Sequence, residues 1–148
     1  MYANSSDVAC DSMGNAIAVW QSWPSSGTAI PTVRASRFSP SDGWGPIIPV
    51  ETAAETSSSP QVAMTPTGTA TVAFLMGQGV WANRYANVGT VGNSWGSPVR
   101  ISSTGAGGYD PPTVAAGGLD SAIASWPFNP MPVDGHPTPF DLWANVYR

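Results

Sequence analysis

The sequence predicts an all-β protein assembled from three successive four-stranded units, and three observations lead there. Four short segments recur in the same order along nearly the whole chain. Each is rich in Val, Ala, Ile and Trp and is bounded by Gly, Pro, Ser or Asn, a pattern that suits short strands rather than helices. The 148 residues include 16 Gly, 15 Pro and seven Trp. In that composition Gly and Pro punctuate many turns, while the aromatic and β-branched residues supply a core that disordered chains lack.

The first segment is Asp7-Val8-Ala9-Cys10-Asp11, then Pro60-Gln61-Val62-Ala63-Met64, then Pro112-Thr113-Val114-Ala115-Ala116. The second is Gly14-Asn15-Ala16-Ile17-Ala18-Val19-Trp20, matched by Gly68 to Phe74 and by Ser121 to Trp126. Val8, Val62 and Val114 are spaced by 54 and 52 residues, and Ala16, Ala70 and Ala122 repeat the same spacing. The third segment runs Val33 to Phe38, Val80 to Tyr85 and Leu142 to Tyr147. The fourth, Gly43-Trp44-Gly45-Pro46-Ile47-Ile48, recurs as Ser94-Trp95-Gly96-Ser97-Pro98-Val99, and no third copy follows Tyr147-Arg148. The repeats are therefore placed at 5–56, 57–109 and 110–148 of a single segment, 1–148, with the last lacking its fourth strand.

From Ala16 to Trp20 the second segment is apolar at every position, which suits a strand buried on both faces between neighbouring sheets. A four-stranded unit recurring about every fifty residues is the signature of a β-propeller blade. A two-sheet sandwich is the alternative, although a sandwich does not require the same four strands to recur in order.

Gly14-Asn15-Ala16-Ile17-Ala18-Val19-Trp20-Gln21, Trp81-Ala82-Asn83-Arg84-Tyr85 and Ser94-Trp95-Gly96 resemble a repeat of bacterial β-propeller-like proteins. Such proteins are often long, secreted or surface-associated, with many tandem copies. The resemblance implies the fold and is silent on activity. Sialidases and fucose-binding propeller lectins are more distant by architecture. The sialidase pattern Ser-x-Asp-x-Gly-x-Thr-Trp is absent, as is the Asp-Gly-Gly turn leading to tryptophan common in those lectins.

Propellers close with about four to eight blades, so three copies leave two apolar blade faces uncovered. Either the chain is a piece of a longer protein or it associates with itself. Two copies in a two-fold homodimer would complete six blades, and this is the preferred expectation. The unpaired edge of the last copy also invites strand addition.

Composition excludes several function classes. A net charge of −4 and five scattered arginines, with no lysine, offer no basic patch for nucleic acid. No apolar run approaches the roughly eighteen residues of a membrane span. Low charge, the lack of lysine and the resemblance together suggest an extracellular or periplasmic setting. Cys10 has no partner cysteine and no neighbouring His, so a buried structural thiol is expected. No metal or cofactor is implied, because the one His and one Cys lie far apart and the carboxylates are scattered. Asp7 and Asp11 suit turn roles. Gly105-Ala106-Gly107-Gly108 has no following helix or lysine and reads as a connection.

The chain is expected to be a non-catalytic, self-associating binding module, with a carbohydrate or a protein as ligand. A glycosidase-like enzyme completed across subunits is the alternative, with Glu51 and Glu55 its only glutamates; a purely structural repeat segment is the third. Trp20, Phe74, Trp126, Trp44 and Trp95 recur at equivalent positions and suit a core. Trp81, Arg84 and Trp143 are the first candidate ligand set, since indoles stack on sugar faces while Arg bonds hydroxyls. The long loops after the second segment form a second candidate rim carrying Trp23, Phe128, His136 and Phe140.

Overall fold

The computed structural model describes residues 2–25, 30–86, 95–103, 107–118, 121–130 and 141–147. Among them there is no helix, and the strands form three open antiparallel sheets. The first contains β1 (Tyr2–Cys10), β2 (Ala16–Trp23) and β3 (Thr32–Ser39), with two short strands, β4 (Gly43–Trp44) and β5 (Ile48–Pro49), both paired to β3. The second follows in simple order: β6 (Ser57–Met64), β7 (Ala70–Met76), β8 (Val80–Tyr85) and β9 (Val99–Arg100). In the third, β12 (Ala122–Pro130) lies between β13 (Asp141–Tyr147) and an edge made of two pieces, β10 (Gly107–Tyr109) and β11 (Thr113–Ala116).

Local chemistry repeats with the sequence. The first hairpin turns at Gly14, whose φ of 82° favours glycine, and the second at Gly68, with φ of 94°. Asp11 closes the first turn by accepting the N–H groups of Met13 (2.8 Å) and Asn15 (2.9 Å). Thr65 Oγ1 takes that role in the second, accepting Thr69 N–H at 3.1 Å. Both leading strands carry an irregularity of register, at Asn4/Asp7 and at Ser58/Gln61, with Ser5 and Ser59 in left-handed conformations. In the third sheet the corresponding stretch is Asp110-Pro111-Pro112, where the missing proline N–H groups divide the strand into β10 and β11.

The apolar central strands need cover on both sides, and β7 receives it. Its Ala70, Val72, Phe74 and Met76 join Ile17, Val19, Val33, Ala35, Val50 and Val62 in one core between the first and second sheets. On the opposite face Ala73 joins Val80, Ala124 and Trp126 in a second core, shared with the third sheet. Burying such a Val, Ile or Phe side chain contributes roughly 1.5–3 kcal/mol, so the two cores dominate the stability of the stack.

Polar ties fix the sheets to one another. Asn83, fully buried, donates to Val50 O of the first sheet's exit (2.7 Å) and to Gly96 O in its own sheet (2.9 Å). Asn145, in the matching position of β13, donates to Ile101 O at 3.1 Å. Ser36 stands there in the first sheet and keeps only the bond within its sheet, to Gly45 O at 2.9 Å. Asp7 Oδ2 accepts Val62 N–H (2.9 Å), capping an edge group of β6 from the neighbouring sheet.

Two side-chain expectations are corrected. Cys10 is exposed rather than buried, and Trp44 is 58% exposed rather than in the core. The register runs Cys10–Ala16–Phe38–Trp44 across the first sheet, which puts both on the face that no other sheet covers.

Replacing Asn83 by Ala strands two carbonyls and costs about 2–4 kcal/mol. The same change at exposed Asn145 costs no more than about 1 kcal/mol; urea midpoints measure both. Acid destabilises the first hairpin. Burial alone would raise the Asp11 carboxyl, but hydrogen bonds from the Asn15 side chain and from the Asn15 and Met13 N–H groups, with the Arg37 charge, hold it below its ordinary 3.8. A depressed folded-state value means that this stabilisation is complete at neutral pH and is lost as pH falls through and below that range. Asp42, held low by the Ser41 and Ser39 hydroxyls, acts in the same sense. Denaturation midpoints of Asp11→Asn should accordingly fall less between pH 7 and pH 3 than those of the unsubstituted chain.

Candidate functional site

Side chains alternate along an unbroken strand, and this separates the first candidate set. Trp81 lies on the face of β8 turned toward the first sheet, half-buried against the core there, with its Nε1–H donated to Met76 O at 3.1 Å. Arg84, three residues along, projects from the opposite face, on the side of the third sheet. The two do not converge on one ligand. Trp143 occupies the position opposite Trp126 in the β12–β13 register.

The second candidate rim fares differently. Trp23 ends β2, 44% exposed and directly opposite Tyr2, which is 77% exposed. Cross-strand partners project from the same face, so the pair offers two accessible aromatic rings at one sheet edge. Tyr2 precedes the first repeat and escaped the sequence reading; extending the hairpin register from Cys10–Ala16 through the irregularity at Ser5 is the signal that finds it. At the corresponding end of β12, Tyr109 and Phe128 are 5.0 Å apart between ring centroids, and the Tyr109 hydroxyl donates to Ser103 O at 2.9 Å. His136 and Phe140 lie outside the described residues.

The carboxylates hold structure. Glu51 is buried, with Oε1 accepting the Ser57 hydroxyl (2.7 Å) and Oε2 the Ala53 N–H (2.8 Å). Ser57 Oγ in turn accepts Val33 N–H at 2.8 Å. Glu51 therefore clamps the passage from the first sheet to the second, while Glu55 is exposed in that linker. Among the described residues no group of three or more His, Cys, Asp or Glu is placed to hold a metal ion.

Uncovered apolar side chains also lie on the two outer faces of the stack. On the first sheet, Ala18, Trp20, Ser36, Trp44, Gly45 and Ile47 line a shallow, mainly apolar recess of about 380 Å³. Val8 extends this face along β1. On the third sheet, Ile123, Leu142 and Val146 are exposed on the side away from the second sheet.

No protein-family model matches the chain, and no curated protein matches it.

Proposed function

We propose that the chain is a non-catalytic, self-associating β-propeller module in which each of the three sheets is one blade. The observation that carries this reading is the pair of apolar outer faces left on a stack whose internal faces hold its two cores. Two copies supply six blades, within the range at which such rings close, and a two-fold axis closes the assembly without further subunits. Closure covers both outer faces and leaves the rims as the recognition surfaces.

A carbohydrate is the proposed ligand, and the exposed Tyr2–Trp23 pair supports it, because aromatic rings stack on the C–H faces of sugars. The site depends on one sheet only and does not need a ring centre. The sealed Glu51 carboxylate favours binding over glycoside hydrolysis, which requires two carboxyl groups open to the substrate.

Light scattering coupled to size exclusion, across a dilution series, should give a constant mass about twice 15.3 kDa; a folded monomer at every concentration would overturn self-association. A glycan array should capture the chain, and Trp23→Ala or Tyr2→Ala should weaken binding to the captured glycan about tenfold without changing the mass. An array that captures nothing removes the carbohydrate reading and leaves a structural module.

A further inference from the structure

The two outer faces are not alike, and the interior of the chain shows how they fit. Each sheet has a front, turned toward the preceding sheet, and a back, turned toward the following one. The front of the second sheet carries Val62, Ala70, Val72 and Phe74, which pack on Ile17, Val19, Val33 and Ala35 from the back of the first. The front of the third carries Val114, Ala124 and Trp126, which pack on Ala73, Leu75 and Val80 from the back of the second. Both internal junctions therefore follow one rule, in which an aromatic at the end of the central strand sits over small and aliphatic groups behind it.

The uncovered faces are the two halves of a third such junction. The front of the first sheet repeats the pattern with Val8, Ala16, Ala18 and Trp20, at the positions of Val62, Ala70, Val72 and Phe74. The back of the third sheet repeats the other half with Ser125, Pro127, Leu142 and Ala144, at the positions of Ala73, Leu75, Val80 and Ala82. Burial gives the contrast directly. Val62 is 6% exposed but Val8 58%, and Val80 is fully buried but Leu142 is 78% exposed. Val8 and Leu142 are thus exposed apolar side chains whose counterparts inside the stack are covered.

Resting on the self-association proposed above, we infer that the occupant of each outer face is a second copy of this chain, docked back-to-front. The third sheet of one copy packs its Leu142 side against the Val8, Trp20 and Trp44 side of the first sheet of the other. The contact is heterologous, and a two-fold axis makes it twice. The recess beside Trp20 receives the aliphatic groups around Leu142, as the environment of Trp126 contains Val80. Like-with-like docking of two fronts would set Trp44 and Ile47 against their own copies and leave Leu142, Ile123 and Val146 in water.

The junction differs from the internal ones in its polar ties. Ser36 replaces the asparagine that reaches across to the preceding sheet in the other two cases. That tie is absent between copies, so apolar contact carries more of this junction than of the internal ones, and single substitutions in it are decisive.

The test uses Val8→Arg on the front and Leu142→Asp on the back. Both side chains are exposed in the single chain, and circular dichroism together with the urea midpoint checks that each variant folds. Each variant alone should halve the mass, since either change spoils both junctions of the ring. An equal mixture should recover the full mass. It forms one junction free of substitution and a second in which the two new side chains carry opposite charges. Cys10, exposed on the front at the position of half-buried Met64, reports independently. Its labelling by a thiol reagent should slow when the chain associates and return to the fast rate in Leu142→Asp. If Val8→Arg dissociates the assembly while Leu142→Asp leaves mass and labelling unchanged, docking is front-to-front; the inference then fails and self-association stands. A mixture that stays monomeric also overturns it. An unsubstituted chain that is already monomeric overturns the parent reading instead.

Discussion

A sheet whose central strand is apolar on both faces cannot stand alone, and the architecture follows from that constraint. β2, β7 and β12 carry Ala, Val, Ile, Phe or Trp on each side. Only β7 finds a sheet from its own chain on both sides, and its residues are almost wholly buried. β2 shows the consequence of having one neighbour: Ile17 and Val19, turned inward, are buried, whereas Ala18 and Trp20, turned outward, are only partly covered. β12 shows the reverse, with Ala124 and Trp126 inside and Ile123 outside. Stacking is thus a property of each sheet, and the outer sheets retain an unmet demand for apolar cover.

Polar groups set the geometry of the stack. Asn83 and Asn145 reach backward to the exit of the preceding sheet, and Asp7 reaches forward to an edge N–H of the following one. A buried donor or acceptor left without a partner costs about 1–3 kcal/mol, so the bonds of buried Asn83 above all penalise sliding of the second sheet on the first. The entries of β3 and β8 are pinned in a similar way, by Ser57 at Val33 and by Ser102 at Val80, where a hydroxyl accepts a backbone N–H at the start of the strand. Glu51 then fixes Ser57, which explains a buried carboxylate in a linker with no catalytic partner beside it.

The strands and their order were legible because they depend on local pattern. The 54-residue spacing located β6 from β1 and β7 from β2, and the Gly14 and Gly68 turns marked the hairpins. What the pattern could not carry was which copy lies at the end of the stack. Cys10 and Trp44 occupy positions that are covered or half-covered in the second sheet, as Met64 and Trp95, and a repeat-based expectation therefore buried them. The candidate set Trp81, Arg84 and Trp143 was chosen for side-chain chemistry alone. Counting parity along β8 already separates Trp81 from Arg84, since residues three apart on a strand point oppositely. Tyr2 was missed because its meaning depends on a register that passes through an irregular pair.

Division of labour between faces and rims follows from the same constraint. A face occupied in packing must be apolar, flat and closely repeated, and it has little freedom to vary with a ligand. The strand ends carry no such obligation. Trp23 and Tyr2 are exposed there without contributing to either core, whereas Trp81 is held by its core contact and by its bond to Met76. An aromatic that is excluded from the core yet fixed by strand pairing loses little side-chain entropy when it stacks on a ligand. In the proposed reading, recognition therefore belongs to the edges of this scaffold, and assembly to its faces.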